Sequence, residues 1–183
     1  MKKIISLFLL ILCINASQAQ KYFTRTGKID FDAGTGVEDI KGTNKSVTSV
    51  FDVSTGQIQF QVLIKGFEFW SQLMQDHFNE NYMESDKYPK STFKGVITNI
   101  EKVNVTKDGT YPVTVKGTLD IHGVKKEVES KGTLKVKGEN IDASSEFVIT
   151  MDDYKIAIPS VVKDKLSRTA KIKINCNFTP LKK

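Results

Sequence analysis

Apolar side chains recur at every second residue along much of this sequence, and this period indicates strands rather than helices. Residues 57–65 read QIQFQVLIK, in which Ile58, Phe60, Val62 and Ile64 alternate with mainly polar neighbours. Successive side chains of a β-strand point to opposite faces of its sheet. Because one face of this segment is apolar and the other mainly polar, it is typical of a half-buried strand.

The same alternation returns in several other segments that are separated by short turns. Ser54-Thr55-Gly56 joins two such segments as a hairpin loop, and His122-Gly123 joins another two. The alternating or strand-like segments are residues 22–31, 47–53, 57–65, 93–100, 111–121, 124–136, 141–149 and 170–178. The spacing therefore predicts about eight or nine strands.

The connections predict an all-β, antiparallel architecture. No helical segment follows each strand in a repeating order, so a parallel sheet of the βαβ type is excluded. An antiparallel sheet with one apolar face per strand encloses a single interior as a barrel or a sandwich. Residues 20–183 are therefore predicted to form one domain.

One aromatic segment, residues 67–90, departs from the alternation. Ser71 can cap a helix that begins at Gln72, and Pro89 is expected to limit that helix. The expected helical segment spans about residues 71–84. Its spacing gathers Leu73, Met74, His77 and Phe78 on one face. This face can plug the end of a barrel, form a pliable wall against an apolar ligand, or do both.

The N-terminal residues 1–19 are expected to be a signal peptide that is cleaved after Ala19. Lys2 and Lys3 precede an uncharged apolar run, and Ser17-Gln18-Ala19 provides small residues at a cleavage site. Removing the two lysines lowers the net charge from +6 to +4, with 25 (27 − 2) basic and 21 acidic residues. The mature protein is therefore expected to be periplasmic or secreted, with Cys176 as its remaining cysteine.

The sequence does not contain a recognisable catalytic or metal-binding motif. G-x-S-x-G, H-E-x-x-H and C-x-x-C are all missing. We therefore predict neither enzymatic activity, nor a cofactor, nor a metal. The basic residues are dispersed among acidic ones, which argues against a nucleic-acid surface, while peripheral contact with a membrane stays open. The oligomeric state does not follow from the sequence.

Three stretches resemble the YceI-like family of exported bacterial proteins. They are LMQDHFNENYMESDKYPKSTFKG, GTLDIHGVKKEV, and MDDYKIAIPSV with the later AKIKINCNF. Asp120 and Lys125 stand where the family often has threonine. The resemblance covers roughly residues 21–179. It implies a lipocalin-like, eight-stranded antiparallel barrel with a helical segment near its mouth, and an isoprenoid, quinone-like or other lipid ligand that is carried or stored inside.

The predicted ligand contacts are of two kinds. Some are apolar strand residues that are expected to point inward, and the others lie on the apolar face of the helical segment or are aromatic residues that flank it. Leu119, Ile121 and Phe147 are instead expected in the core. The alternative is a structural or interaction barrel with a filled core and no ligand, in which Phe51, Phe60, Phe93 and Phe147 meet at the centre. The predicted ligand-binding residues are Phe51, Phe60, Val62, Ile64, Phe69, Trp70, Leu73, Met74, Phe78 and Phe93.

Overall fold

A computed structural model describes residues 21–181, and the predicted signal peptide lies outside this range. The described chain forms nine antiparallel strands and one short α-helix, α1, at Gln72–His77. The strands are β1 Lys21–Gly34, β2 Lys41–Asp52, β3 Gln57–Leu63, β4 Glu68–Phe69, β5 Lys90–Ile97, β6 Gly109–Ile121, β7 Val124–Lys137, β8 Asn140–Thr150 and β9 Leu166–Pro180.

Eight of these strands close into a barrel, which confirms the predicted fold class. The order around the wall is β1-β9-β8-β7-β6-β5-β3-β2, and β2 pairs again with β1. The short β4 adds to the free edge of β2 through Gly42–Phe69 and Thr43–Glu68. Every strand pairs antiparallel to its neighbours, and short hairpin turns join β2 to β3, β6 to β7 and β7 to β8.

Strand β1 closes the barrel because it pairs with both β2 and β9. It is irregular near Gly27. Its register with β2 shifts on either side of Gly27, the behaviour of a β-bulge, which bends a strand. A Cβ atom at Gly27 would lie 2.7 Å from Sγ of Cys176 and 3.2 Å from Cβ of Val47. Only glycine fits at this close approach without displacing one of those side chains.

The barrel has a closed end and an open end. The closed end holds the β2–β3 turn, the β7–β8 turn and the long β5–β6 connection, and a packed apolar cluster fills it. Phe51 and Phe178 lie at the centre of this cluster, with their ring centroids 6.0 Å apart. The buried members of the cluster are Tyr22, Phe51, Ile58, Ile97, Val113, Leu134, Val136, Ile141, Cys176 and Phe178.

The open end carries α1 and the loops that surround it. Ser71 is the N-cap residue of α1, as predicted, although its side chain makes no capping hydrogen bond. A π-helical turn, Phe78–Tyr82, continues the helix. The expectation that Pro89 limits the helix is wrong, because the backbone of Glu84 already has a φ of 41°. Among residues 21–181, no helix is long and apolar enough to cross a bilayer.

The Cys176 thiol is expected to be unreactive in the native protein. Burial raises its pKa to about 12, so at pH 8 on the order of one native molecule in 10⁴ carries the reactive thiolate. We expect a maleimide or an aromatic disulfide to leave the Cys176 peptide unlabelled for hours in the native protein and to label it within minutes in urea. Rapid native labelling, read by mass spectrometry of that peptide, would contradict the buried placement.

Candidate functional site

An apolar cavity of about 420 Å³ extends from the open end of the barrel down to the packed cluster of the closed end, whose members Ile58, Ile97, Val113 and Leu134 also line it. It lies between the packed cluster of the closed end and the helical segment 72–82. The inward residues of β1, β3, β5, β6, β7, β8 and β9 form its wall. Small-molecule sites in proteins usually have volumes of roughly 300–1,000 Å³ and mainly apolar walls, and this cavity has both properties.

Eight of the ten residues that the sequence analysis chose as ligand contacts line this cavity. The strand members confirm the inward phase that was read from the alternation. The members on α1 and the following turn confirm the helical face, because His77 of the same face also lines the cavity. The eight residues are Phe60, Val62, Ile64, Phe69, Leu73, Met74, Phe78 and Phe93.

Phe51 and Trp70 do not line the cavity, which corrects the predicted set. Phe51 points inward, but it is fully buried in the packed cluster of the closed end. Trp70 lies between β4 and the N-cap of α1, and its side chain is 75% exposed. It therefore lies outside the cavity at the open end of the barrel.

The prediction missed wall residues on strands and loops. Leu119, Ile121 and Phe147, which were expected in the core, line the cavity. Ile29, Phe31, Ile172 and Ile174 line it from β1 and β9, and their period of two was visible in the sequence. The loop between β8 and β9 adds Ile156, Ile158 and Val162.

Aromatic rings close the cavity beneath the helical segment. The Phe78 ring is the centre of this group, with centroids 4.9 Å from Phe69, 5.4 Å from Phe67 and 5.8 Å from Phe31. Such tilted pairs add stability beyond their buried area. Because these rings come from β1, β4, the preceding loop and the helical turn, they hold the helical segment over the cavity.

A half-buried tyrosine and a buried one lie close to the same end of the barrel. Tyr82 lines the cavity, and Tyr154 belongs to a 3₁₀ turn, Asp152–Tyr154, after β8. Burial raises the pKa of both phenols, and the charge of Asp153 contributes to the raised pKa of Tyr154. Both phenols therefore stay protonated at neutral pH.

His122 ties three segments of the open end together, and it lies in the β6–β7 turn that the sequence predicted. Its Nδ1 lies 3.1 Å from the carbonyl oxygen of Tyr154, and its Nε2 lies 2.7 Å from Oε2 of Glu84. The Tyr88 ring packs edge-on against the imidazole, at 4.5 Å between centroids. His122 and Glu84 both have positive φ angles, as does Lys155 beside Tyr154.

Replacing His122 with asparagine is expected to lower the free energy of unfolding by about 1–3 kcal/mol, because the partly buried contacts to Tyr154 and Glu84 are lost. Asparagine tolerates a positive φ, so the backbone of the turn is preserved. Urea unfolding measures the loss. The matched control is His77→Asn, at an exposed position, for which we expect a change within about 0.5 kcal/mol. Equal effects of the two substitutions would contradict a linking role for His122.

The polar side chains on the wall include an ion pair and a serine pair. Glu38 and Lys165 form an ion pair of 3.0 Å between the β1–β2 and β8–β9 loops at the open end. Ser130 and Ser145 face each other lower in the wall, with their hydroxyl oxygens 2.7 Å apart. No group of three or more His, Cys, Asp or Glu side chains suited to a metal ion occurs within residues 21–181.

Comparison with known proteins identifies the barrel. Residues 20–178 match the YceI-like domain. The chain belongs to the YceI-like family. No match to this YceI-like sequence is found among curated proteins.

Solved structures share the YceI-like fold at low sequence identity. A polyisoprenoid-binding domain from Saccharophagus degradans aligns with a TM-score of 0.76 and 13% identity, covering 88% of this chain and 98% of that one. BcnA of Burkholderia cenocepacia aligns with a TM-score of 0.69 and 16% identity, covering 84% and 96%. A Campylobacter jejuni YceI protein aligns with a TM-score of 0.58 and 18% identity, covering 81% and 89%. These similarities establish the fold of the chain.

Proposed function

We propose that this YceI-like protein binds the chain of an isoprenoid, quinone-like or similar long-chain lipid inside its barrel, as a carrier or a reservoir. The observation that carries the proposal is the apolar cavity of about 420 Å³ beneath α1. The fold similarity to a domain described as polyisoprenoid-binding supports the ligand class. Binding alone accounts for such a site, and the proposal assigns no reaction to it.

Burial of the lipid chain supplies the binding energy. Each methylene removed from water contributes about 0.8 kcal/mol. Association costs on the order of 4–15 kcal/mol in lost freedom, so a few isoprene units are needed before net affinity appears. We therefore expect affinity to rise with chain length until the cavity is full.

The alternative of a filled barrel requires the inward phenylalanines to meet at the centre. Phe60 and Phe93 do pack together, with centroids 6.2 Å apart, but both line the cavity. Phe51 lies in the separate cluster at the closed end. This arrangement favours a hollow site over a filled core.

A titration tests the proposal. Geranylgeraniol and palmitic acid are delivered from cyclodextrin to the purified protein, and the heat of binding is recorded at several temperatures. We expect one bound lipid per chain, with a negative heat-capacity change because apolar surface is buried. Failure of both lipids to bind would overturn the proposed function.

We also propose that the protein is exported and that its open end contacts a membrane when lipid is exchanged. The signal-peptide pattern of residues 1–19 supports export. Val37, Trp70, Leu73 and Val161 are exposed apolar side chains of the segments that surround the cavity mouth, and tryptophan favours the membrane interface.

Two measurements address location and membrane contact. N-terminal sequencing of the protein from its own cells is expected to begin at Gln20, and an uncleaved Met1 would count against export by this route. Trp70 is the only tryptophan, so its emission should shift to the blue when phosphatidylcholine vesicles are added. Unchanged emission, together with no co-sedimentation, would exclude the proposed contact.

A further inference from the structure

The barrel wall has a seam between β7 and β8. These two strands pair only from Gly132↔Ser145 to Lys137↔Asn140, next to their turn at the closed end. Beyond Gly132, β7 continues along β6 as far as Val124, and β8 continues along β9. The two strands therefore part beside the cavity, in the half of the barrel nearest the open end.

The Ser130–Ser145 pair lies where the seam begins. Ser145 pairs with Gly132 in the last pair of the β7–β8 ladder, and Ser130 lies two residues beyond Gly132 on β7. The hydroxyl oxygens are 2.7 Å apart, and Ser145 Oγ donates to the carbonyl oxygen of Lys131 at 2.9 Å. The serines thus satisfy a carbonyl that lies beyond the ladder, and both line the cavity.

The serine pair lies in the lower part of the cavity wall, above Leu134, which lines the cavity closer to the closed end. Ser130 pairs with Val115 in the ladder to β6, and Ser145 pairs with Ile174 in the ladder to β9. Val115 and Ile174 also line the cavity, and both pack against the apolar cluster of the closed end. A ligand that enters the lower part of the cavity therefore passes the two hydroxyls.

The protons of both hydroxyls are already used within the protein. Ser145 donates its proton to the carbonyl oxygen of Lys131. In the hydrogen bond between the two serines, Ser130 is then the donor. The free positions are then lone pairs, mainly on Ser130, because a hydroxyl has one proton and two acceptor sites. Ser130 also lies 3.3 Å from the carbonyl oxygen of Lys131, so both protons have acceptors within the protein while the pair accepts a hydrogen bond from a ligand.

The surroundings favour an uncharged polar group. Beside the serine pair, the lining also includes the uncharged Thr133 and Ser144. Among the described lining residues, the acidic Glu38 and the basic Lys165 pair with each other at the open end. An anionic head group at the serine pair would meet serine lone pairs rather than a cation.

We propose that Ser130 and Ser145 form a subsite for the hydroxyl group of a long-chain lipid alcohol. The hydroxyl donates to the serine pair, and the apolar chain extends from there towards α1. This inference rests on the proposed lipid-binding function and specifies the ligand class and its orientation. The preferred ligand is an isoprenoid alcohol or a similar hydroxylated lipid rather than a quinone, an ester or a hydrocarbon.

The test compares geranylgeraniol, its methyl ether and the corresponding hydrocarbon for binding to the intact wild-type protein. We expect the alcohol to bind about tenfold more tightly than the methyl ether, the effect of one hydrogen bond in a desolvated site. In the Ser130→Ala/Ser145→Ala double variant this ratio is expected to fall to about one, while the hydrocarbon binds as before. Equal affinity of wild type for alcohol and ether would overturn the subsite, as would an unchanged ratio in the double variant.

Two further variants keep the test decisive. Ser130→Val keeps the hydrogen bond from Ser145 to the carbonyl oxygen of Lys131 and places methyl groups beside the Ser145 hydroxyl. It therefore replaces the double variant in this test if the double variant does not fold. The matched control is Ser49→Ala, because Ser49 is buried on β2, donates to the carbonyl oxygen of Gln59 at 2.7 Å and does not line the cavity. We expect Ser49→Ala to keep the alcohol preference. If none of the three lipids binds to wild type, the proposed function fails and the subsite fails with it.

Discussion

Replacing Val128 with tryptophan is expected to weaken the binding of geranylgeraniol at least tenfold. Val128 lies on β7 beside the seam and lines the cavity, so the indole ring enters the space that the lipid chain needs. Displacing about two methylenes of ligand costs about 1.6 kcal/mol, which is more than a factor of ten in affinity. Calorimetric titration of the variant and the wild type measures the change.

The matched control for this blocking substitution is Val148→Trp. Val148 is on the neighbouring β8, but its side chain points outward and is 60% exposed. The same chemical change at this position is expected to leave affinity within about twofold, as for other surface substitutions. Thermal unfolding of both variants shows whether the barrel is intact. A folded Val128→Trp variant that binds as tightly as wild type would contradict an internal lipid site.

The Phe51→Ala substitution is expected to lower the free energy of unfolding by about 3–5 kcal/mol, the usual cost of removing a phenyl ring from a packed core. Phe51 is completely buried, with ring centroids 6.4 Å from Tyr22 and 6.0 Å from Phe178. Because Phe51 does not line the cavity, the folded variant should retain the wild-type affinity for lipid. Urea unfolding and calorimetric titration measure the two quantities.

Phe60→Ala provides the comparison for Phe51→Ala. Phe60 carries the same side chain on β3, but it is only partly buried and lines the cavity. We expect a smaller loss of stability than for Phe51→Ala and a clear loss of lipid affinity. Loss of affinity in a folded Phe51→Ala protein, with none in Phe60→Ala, would reverse the assignment of the two ends of the barrel.

Much of the fold could be predicted from the alternation, because a strand has only two faces. Once Ile58, Phe60 and Val62 were placed on the apolar face of β3, their inward orientation followed. The alternation does not show where along the barrel axis a residue lies. Phe51 and Phe60 have the same inward phase, yet one lies in the packed closed end and the other at the cavity. The position along the axis is set by the strand register and by how the barrel closes, and both depend on the pairing of all the wall strands.

Other features of the site depend on contacts between distant residues. Trp70 precedes the first turn of α1, so the helical face did not determine its direction. The contact between Glu84 and His122 joins residues far apart in the sequence, and local patterns such as Pro89 could not reveal where the helical segment ends. The seam was equally hidden, since Ser130 and Ser145 each fit an ordinary inward position on a strand.

Native mass spectrometry of the protein purified from its own cells without detergent tests the central claim most directly. We expect a population whose mass exceeds that of the polypeptide by one lipid molecule. Collisional activation should release this molecule, and its fragmentation should show an isoprenoid or other long apolar chain. Only the bare polypeptide mass, both before and after incubation with geranylgeraniol, would contradict a lipid-binding barrel.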